Sequence, residues 1–302
     1  MRIILALLLA LSGCAGGPQA GSCALERIAT IPVRLGGNVP LVLAAINGQP
    51  AVLILDTGSD STLISVDAAN RLRLRPTGRP VLQQAAGGQS VTIPTLLDQV
   101  VLGEAVIANA RAVVGQVPTV DGILGINVLG AFEVDLDAPA GQATLYRARP
   151  CADARPTWNF PYTGLGVQQL PTGHMMVGAE VDGRPVRGIL DTGASATIVS
   201  LPVARDLGVS SQEFRDLPAA RAVTLNAGGV EVRPRRFNSL RVGPADLQSP
   251  TLLVADLPPA LGDVIIGSDV LATRRVWFSF LTGRVFVAGE PRPALAGQPR
   301  PR

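Results

Sequence analysis

The sequence predicts a mainly β protein of two similar lobes, each carrying a short helix. Three observations lead there. The first is composition: 302 residues hold 33 Gly and 25 Pro, with 47% hydrophobic and only 4% aromatic residues. A helical bundle could not carry a Gly or Pro at roughly every fifth position. The apolar content excludes disorder as the main state. The second is an internal repeat. Ile46-Asn47-Gly48-Gln49-Pro50 leading to Leu55-Asp56-Thr57-Gly58 recurs as Val181-Asp182-Gly183-Arg184-Pro185 leading to Leu190-Asp191-Thr192-Gly193, at an offset of 135. Ala86-Gly87-Gly88 recurs as Ala227-Gly228-Gly229, and Ile123-Leu124-Gly125-Ile126-Asn127-Val128-Leu129 as Ile265-Ile266-Gly267-Ser268-Asp269-Val270-Leu271. Three landmarks in the same order mark a duplication. The third is turn chemistry. Asn47-Gly48 and Asp182-Gly183 sit between apolar runs and call for type I′ hairpins.

Taken in chain order, the first element is a targeting segment over residues 1–13. Arg2 precedes an apolar run from Ile3 to Leu11, too short to span a bilayer but suited to a secretory signal. Leu11-Ser12-Gly13-Cys14 follows and resembles a bacterial lipobox, which implies lipid modification of Cys14. A conventional signal cleaved near Ala20 is the alternative. Acyl chains on Cys14 would anchor the protein to a membrane without spanning it. The resemblance implies export to the bacterial cell envelope, with Ala15 after the Cys pointing to the outer membrane, facing the periplasm. Residues 14–28 read as a tether. Cys23 and Cys151 then remain as an even pair, which an oxidising compartment favours as a disulfide over two free thiols.

The first lobe is assigned residues 29–150. Its hairpin strand runs straight into Asp56-Thr57-Gly58. A helix over Val66 to Leu72 follows, with Ser65 as its N-cap. Strands are expected at Val91 to Ile93, Gln99 to Leu102 and Ala143 to Tyr146. Residues 151–171, with Pro, Gly and aromatics, read as an ordered linker. The second lobe, residues 172–289, repeats the scheme: a strand into Asp191-Thr192-Gly193, then a helix from Leu201 to Leu207. Ser200 is its N-cap, Pro202 lies in its first turn and Gly208 is its stop. A strand is expected at Arg284 to Val287, and a disordered Pro- and Arg-rich tail over residues 290–302.

Asp56-Thr57-Gly58-Ser59-Asp60-Ser61-Thr62 and Asp191-Thr192-Gly193-Ala194-Ser195-Ala196-Thr197 resemble the active-site loops of aspartic proteases, retropepsins in particular. The likeness is closest to bacterial retropepsin-like enzymes with two fused repeats. It implies two acid-protease β-barrel lobes about a pseudo-two-fold axis, one Asp from each. The chemistry follows from two carboxylates sharing a water. Two adjacent Asp cannot both ionise cheaply, so one is charged and serves as general base while the other keeps a proton for the scissile carbonyl. Aspartic proteases are the established example of this split. By resemblance Thr57 and Thr192 bond across the axis, and Gly58 and Gly193 let the loops turn tightly. The Gly-Gly segments, Gly87-Gly88 and Gly228-Gly229, match flap tips. Asp60 matches a position that binds substrate backbone amides, where the second lobe has Ser195. Ile126 and Ser268 stand where the retroviral family has Arg, so its ionic support is missing. Ser59 faces Ala194 in the repeat, and a Ser59 hydroxyl bonded to Asp56 would leave that carboxyl with more of the charge. The expected activity is an aspartic-type endopeptidase on a peptide or protein substrate, acting as a monomer. An inactive peptide-binding lipoprotein of the same fold is the alternative.

Other classes fare worse. The net charge of +3, from 26 basic residues (all Arg) and 23 acidic, is no nucleic-acid footprint. One His and three Cys are too few for a multi-His or zinc-ribbon site, so no metal or cofactor is expected. His174 reads as a turn or surface residue. Gly193-Ala194-Ser195-Ala196-Thr197 lacks the closing Gly of a nucleophile elbow. Gly164-Leu165-Gly166 does not join a strand to a helix. Scarce aromatics argue against a sugar site. Asp121, Asp135, Asp137 and Asp263 read as turn or surface carboxylates.

Overall fold

The computed structural model describes residues 24–85, 88–148, 153–222 and 229–291. The first lobe opens with a long strand, β1 (Leu25–Gly36), that serves two sheets. Its first part pairs with β10 (Gln142–Ala148) and its end turns into β2 (Val39–Ile46). The hairpin from β2 to β3 (Gln49–Leu55) closes on Asn47 and Gly48 at φ +50° and +77°, the left-handed pair that a type I′ turn requires. Then come β4 (Thr62–Ser65) and α1 (Val66–Arg71), whose N-cap Ser65 accepts from Ala68 N at 3.1 Å. The hairpin of β5 (Val81–Ala85) and β6 (Gly88–Leu102) is followed by β7 (Ala105–Gly115), β8 (Gly122–Leu124), α2 (Ile126–Leu129) and β9 (Glu133–Asp137).

The decisive topology is at β8. It runs parallel to β3 and antiparallel to β4, lying between them. The loop joining β3 to β4 carries Asp56, so β8 fixes both of its stems.

The linker region holds two strands that composition did not reveal, β11 (Tyr162–Leu165) and β12 (Val167–Gln169). The second lobe continues with β13 (Met175–Val181) and β14 (Arg184–Leu190), joined by Asp182 and Gly183 at φ +50° and +76°. After β15 (Ile198–Ser200), α3 (Leu201–Asp206) starts at N-cap Ser200, whose side chain makes no capping bond, unlike Ser65. Gly208, at φ +90°, ends that turn. A further helix, α4 (Ser211–Asp216), goes beyond the expected one per lobe; its cap Ser210 accepts from Glu213 N at 3.0 Å. Strands β16 (Ala220–Ala222), β17 (Val230–Arg236), β18 (Ser239–Val242), β19 (Ala245–Gln248), β20 (Thr251–Ala255) and β21 (Val264–Ile266) lead to α5 (Ser268–Leu271), β22 (Arg275–Ser279) and β23 (Arg284–Ala288). Here β21 repeats the threading, parallel to β14 and antiparallel to β15.

The lobes share a sheet in the order β11-β23-β22-β9-β10-β1, with β22 of the second lobe antiparallel to β9 of the first. One hydrophobic core runs from Leu53, Leu55 and Leu124 through Val134, Val276 and Phe278 to Leu190, Val254 and Ile266. Asp135 and Asp137 are buried in this shared sheet, not on the surface as their residue type suggested. Asp135 takes a bidentate pair from Arg275 and a bond from Trp158 Nε1. Among the described residues no helix is long and apolar enough to cross a membrane.

Candidate active site

The two Asp-Thr-Gly loops meet head to head. Asp56 N bonds Leu124 O and Asp191 N bonds Ile266 O, so each Asp starts from its threading strand. Thr57 Oγ1 donates to Leu190 O at 2.9 Å and Thr192 Oγ1 to Leu55 O at 2.6 Å. Each hydroxyl also accepts from the other threonine's N–H, at 3.0 and 3.1 Å. Both threonines are fully buried, so these four bonds lock the lobes together where water cannot compete.

Each glycine leaves room for the opposite carboxyl. A Cβ on Gly58 would overlap the carboxyl of Asp191, and one on Gly193 would overlap that of Asp56. Neither glycine adopts positive φ, so close approach and not turn conformation is what demands glycine here.

Behind the loops, Gly125 and Gly267 lie flat against the Ser61 and Ala196 carbonyls. Asn127 Oδ1 accepts from Thr62 N and Oγ1 at 2.7 and 2.9 Å, and Asp269 accepts from Thr197 N and Oγ1 at 2.9 and 2.7 Å. These two supports escaped sequence reasoning. Their signal was a polar residue at the same place in both copies of the third landmark. Ser268 Oγ adds a bond to Thr192 O at 2.8 Å that Ile126 does not match.

The dyad is electrically unequal. Burial pushes both carboxyls above the ordinary value of 3.8. For Asp56, the negative charge of Asp191 pushes further up, against the N–H of Gly58 at 2.7 Å and that of Ser59. For Asp191, burial is opposed by the N–H groups of Ala194 and Gly193, both 2.9 Å from Oδ1, by the bond from Asp56 and by the positive field of His174. The two carboxyls therefore titrate jointly, both raised by burial. The bond expected from Ser59 to Asp56 is not made. The Ser59 hydroxyl donates to Ser61 O at 2.8 Å and is spent within its own loop. His174 lies at the end of a turn, as read from the sequence, but its ring also reaches across to the first lobe, with Nε2 2.9 Å from Gly58 O.

A family model described as aspartyl protease matches residues 42–128 and 177–270, one stretch per lobe. The chain belongs to this aspartyl protease family. Among solved structures, the fold is similar to an aspartic proteinase from Irpex lacteus, with TM-score 0.56 at 13% identity, over 91% of this chain and 100% of that one. At that identity the likeness concerns the fold. A search among curated proteins finds no match.

In this member of the aspartyl protease family β5 and β6 form an antiparallel hairpin. Gly88, at φ +111°, opens β6 opposite Ala85. In the second lobe Gly229, at φ +60°, immediately precedes β17. Exposed Asp60 accepts from Gln83 Nε2 of β5 at 3.2 Å, which ties the loop to that hairpin. Ser195 is contacted from the other lobe through its carbonyl, by Asn38 Nδ2 at 3.2 Å. Gly87, Gly228, Cys14, Cys23 and Cys151 lie outside the described residues. Among those described, no cluster of three or more His, Cys, Asp or Glu is placed to hold a metal ion.

Proposed function

We propose that the protein is an aspartic endopeptidase. The observation that carries this reading is the reciprocal fit in which Gly58 makes space for Asp191 and Gly193 for Asp56. Such a fit has a use only where two carboxyls address one small molecule. Asp191, kept ionised by three donors, takes a proton from a water between the pair. The water oxygen attacks the scissile carbonyl carbon, and protonated Asp56 donates to the carbonyl oxygen. Asp191 then passes its proton to the leaving nitrogen as the C–N bond breaks, and Asp56 takes one back from a hydroxyl of the intermediate as C=O re-forms, giving a carboxylic acid and an amine with the dyad restored.

The test is cleavage of a broad peptide library across pH by the purified protein. Wild type should cut, and Asp56→Asn and Asp191→Asn should each lose about a thousandfold or more of kcat. Equal cleavage by all three would sink the reading. Binding without cleavage by wild type would favour the inactive binder. The lipobox-like segment supports a further proposal, that the enzyme is held in the cell envelope by acyl chains on Cys14. Cys14→Ser should then move it from the membrane to the soluble fraction.

A further inference from the structure

His174 is the chain's single histidine, and the proposed chemistry leaves it unused. It ends the turn between β12 and β13, half-buried. Nε2 lies 2.9 Å from Gly58 O, and Nδ1 lies 2.6 Å from Thr172 Oγ1. A carbonyl oxygen can only accept, so Nε2 must carry hydrogen. In the neutral ring Nδ1 then needs a donor, and in the charged ring it needs an acceptor. The Thr172 hydroxyl serves as either by rotating. The link to Gly58 therefore holds in both protonation states.

The seat is built for this reach. Gly173 has φ +90°, and a Cβ there would stand 2.7 Å from Ile126 Cγ2, so the turn lies flat against the start of α2. Leu170 N to His174 O and Gly173 N to Leu170 O close the turn. The related turn of the first lobe sends Asn38 to Ser195 O. Each hairpin thus touches the opposite catalytic loop, but only the second lobe does so with an ionisable group. From the catalytic loops the ring faces Asp191 and, through Gly58, Asp56. From α2 its turn meets Ile126, and from its own hairpin it meets Thr172; both are uncharged.

We propose that His174 is a positioning residue of the dyad, holding the first lobe's catalytic loop from the second lobe through the Gly58 carbonyl and setting a positive charge beside it. This rests on the two aspartates acting as the catalytic pair. Two effects then separate. The N–H keeps the Asp56 loop in register at any pH. The positive charge of the ring favours the ionised dyad and carries activity further into acid.

The experiment compares His174→Gln, which keeps an N–H donor without the charge, with His174→Ala, which removes both. Both variants should move the acid limb of the kcat/KM profile up by on the order of half a pH unit. Only His174→Ala should also lose about tenfold in kcat at the optimum. A carboxyl-carbon NMR titration of Asp-labelled protein, without substrate, should show the first ionisation of the dyad raised in both. If wild type cuts no peptide, the protease reading fails and this titration still decides the role of His174. If His174→Ala does not fold, His174→Gln carries the test alone. An acid limb and dyad titration unmoved in either variant overturn the proposal, as does a kcat loss equally deep in both.

Discussion

At Gly58 and Gly193 a single methyl group decides whether the dyad can form. Gly58→Ala places its Cβ on the Asp191 carboxyl, and Gly193→Ala does the same to Asp56. The surroundings are close-packed, so the expected cost is about 1–3 kcal/mol of stability, together with loss of cleavage. Thermal unfolding and a peptide assay would show both; a Gly58→Ala protein of wild-type stability and activity would refute the fit. The dyad also leaves a mark on stability. The Asp56 carboxyl is raised by burial and by Asp191, so the folded protein holds a proton that the unfolded chain has released. Stability therefore falls as pH rises from the ordinary value of 3.8 up to the raised one, and the loss persists above it. Asp191, Glu133 and Asp269 are also raised by burial and slope the same way, but Asp56→Asn leaves them in place. The asparagine variant should accordingly show a shallower fall and be the more stable protein at neutral pH. Parallel stability curves for the two would contradict the raised carboxyl of Asp56.

Between the strands, the threonine pair holds the two Asp-Thr-Gly loops together. Thr192→Val removes the donor to Leu55 O and the acceptor for Thr57 N, both buried. Two unsatisfied backbone groups should cost about 2–4 kcal/mol, whereas Thr192→Ser, which keeps the hydroxyl, should recover most of it. Denaturant midpoints of the two variants check this, and equal losses would point to the methyl group instead. At this scale the sequence was readable where the cause is local. The Asn47-Gly48 and Asp182-Gly183 turns, α1 with its Ser65 cap and the strands entering each Asp depend on neighbours in the chain. Helix α4 was missed, although Ser210 and Glu213 have capping-box spacing. Strands β8 and β21 were not legible, because each is three residues long and takes its place from partners far away in sequence. His174 was passed over for the same reason: its partner Gly58 is 116 residues away.

Across the whole molecule, the duplication gave the two lobes, but the sheet that joins them was hidden. Glu133, Asp135 and Asp137 alternate with Val134 and Leu136, a pattern that normally means one face in water. Here β22 covers the polar face with Arg275, Trp277 and Ser279, and every residue of β9 is buried. Arg275 is the hinge of this arrangement. Its Nε and Nη2 lie 2.8 and 2.6 Å from the two oxygens of Asp135, and its guanidinium stacks 5.1 Å above Trp158 from the segment between the lobes. A buried pair gains little over apolar packing, but losing one partner strands the other charge. Asp135 is 1% exposed, and without Arg275 it keeps the neutral Trp158 Nε1 donor at 3.1 Å but no facing cation from β22. Arg275→Met should therefore lose about 3–5 kcal/mol, and adding Asp135→Asn should restore part of it by removing the stranded charge. Because one core runs through both lobes, urea unfolding should stay a single transition at a lower midpoint. Two separated transitions would mean that the lobes cohere through Arg275 more than through the core. A loss below about 1 kcal/mol would mean that the pair contributes no more than a surface bridge.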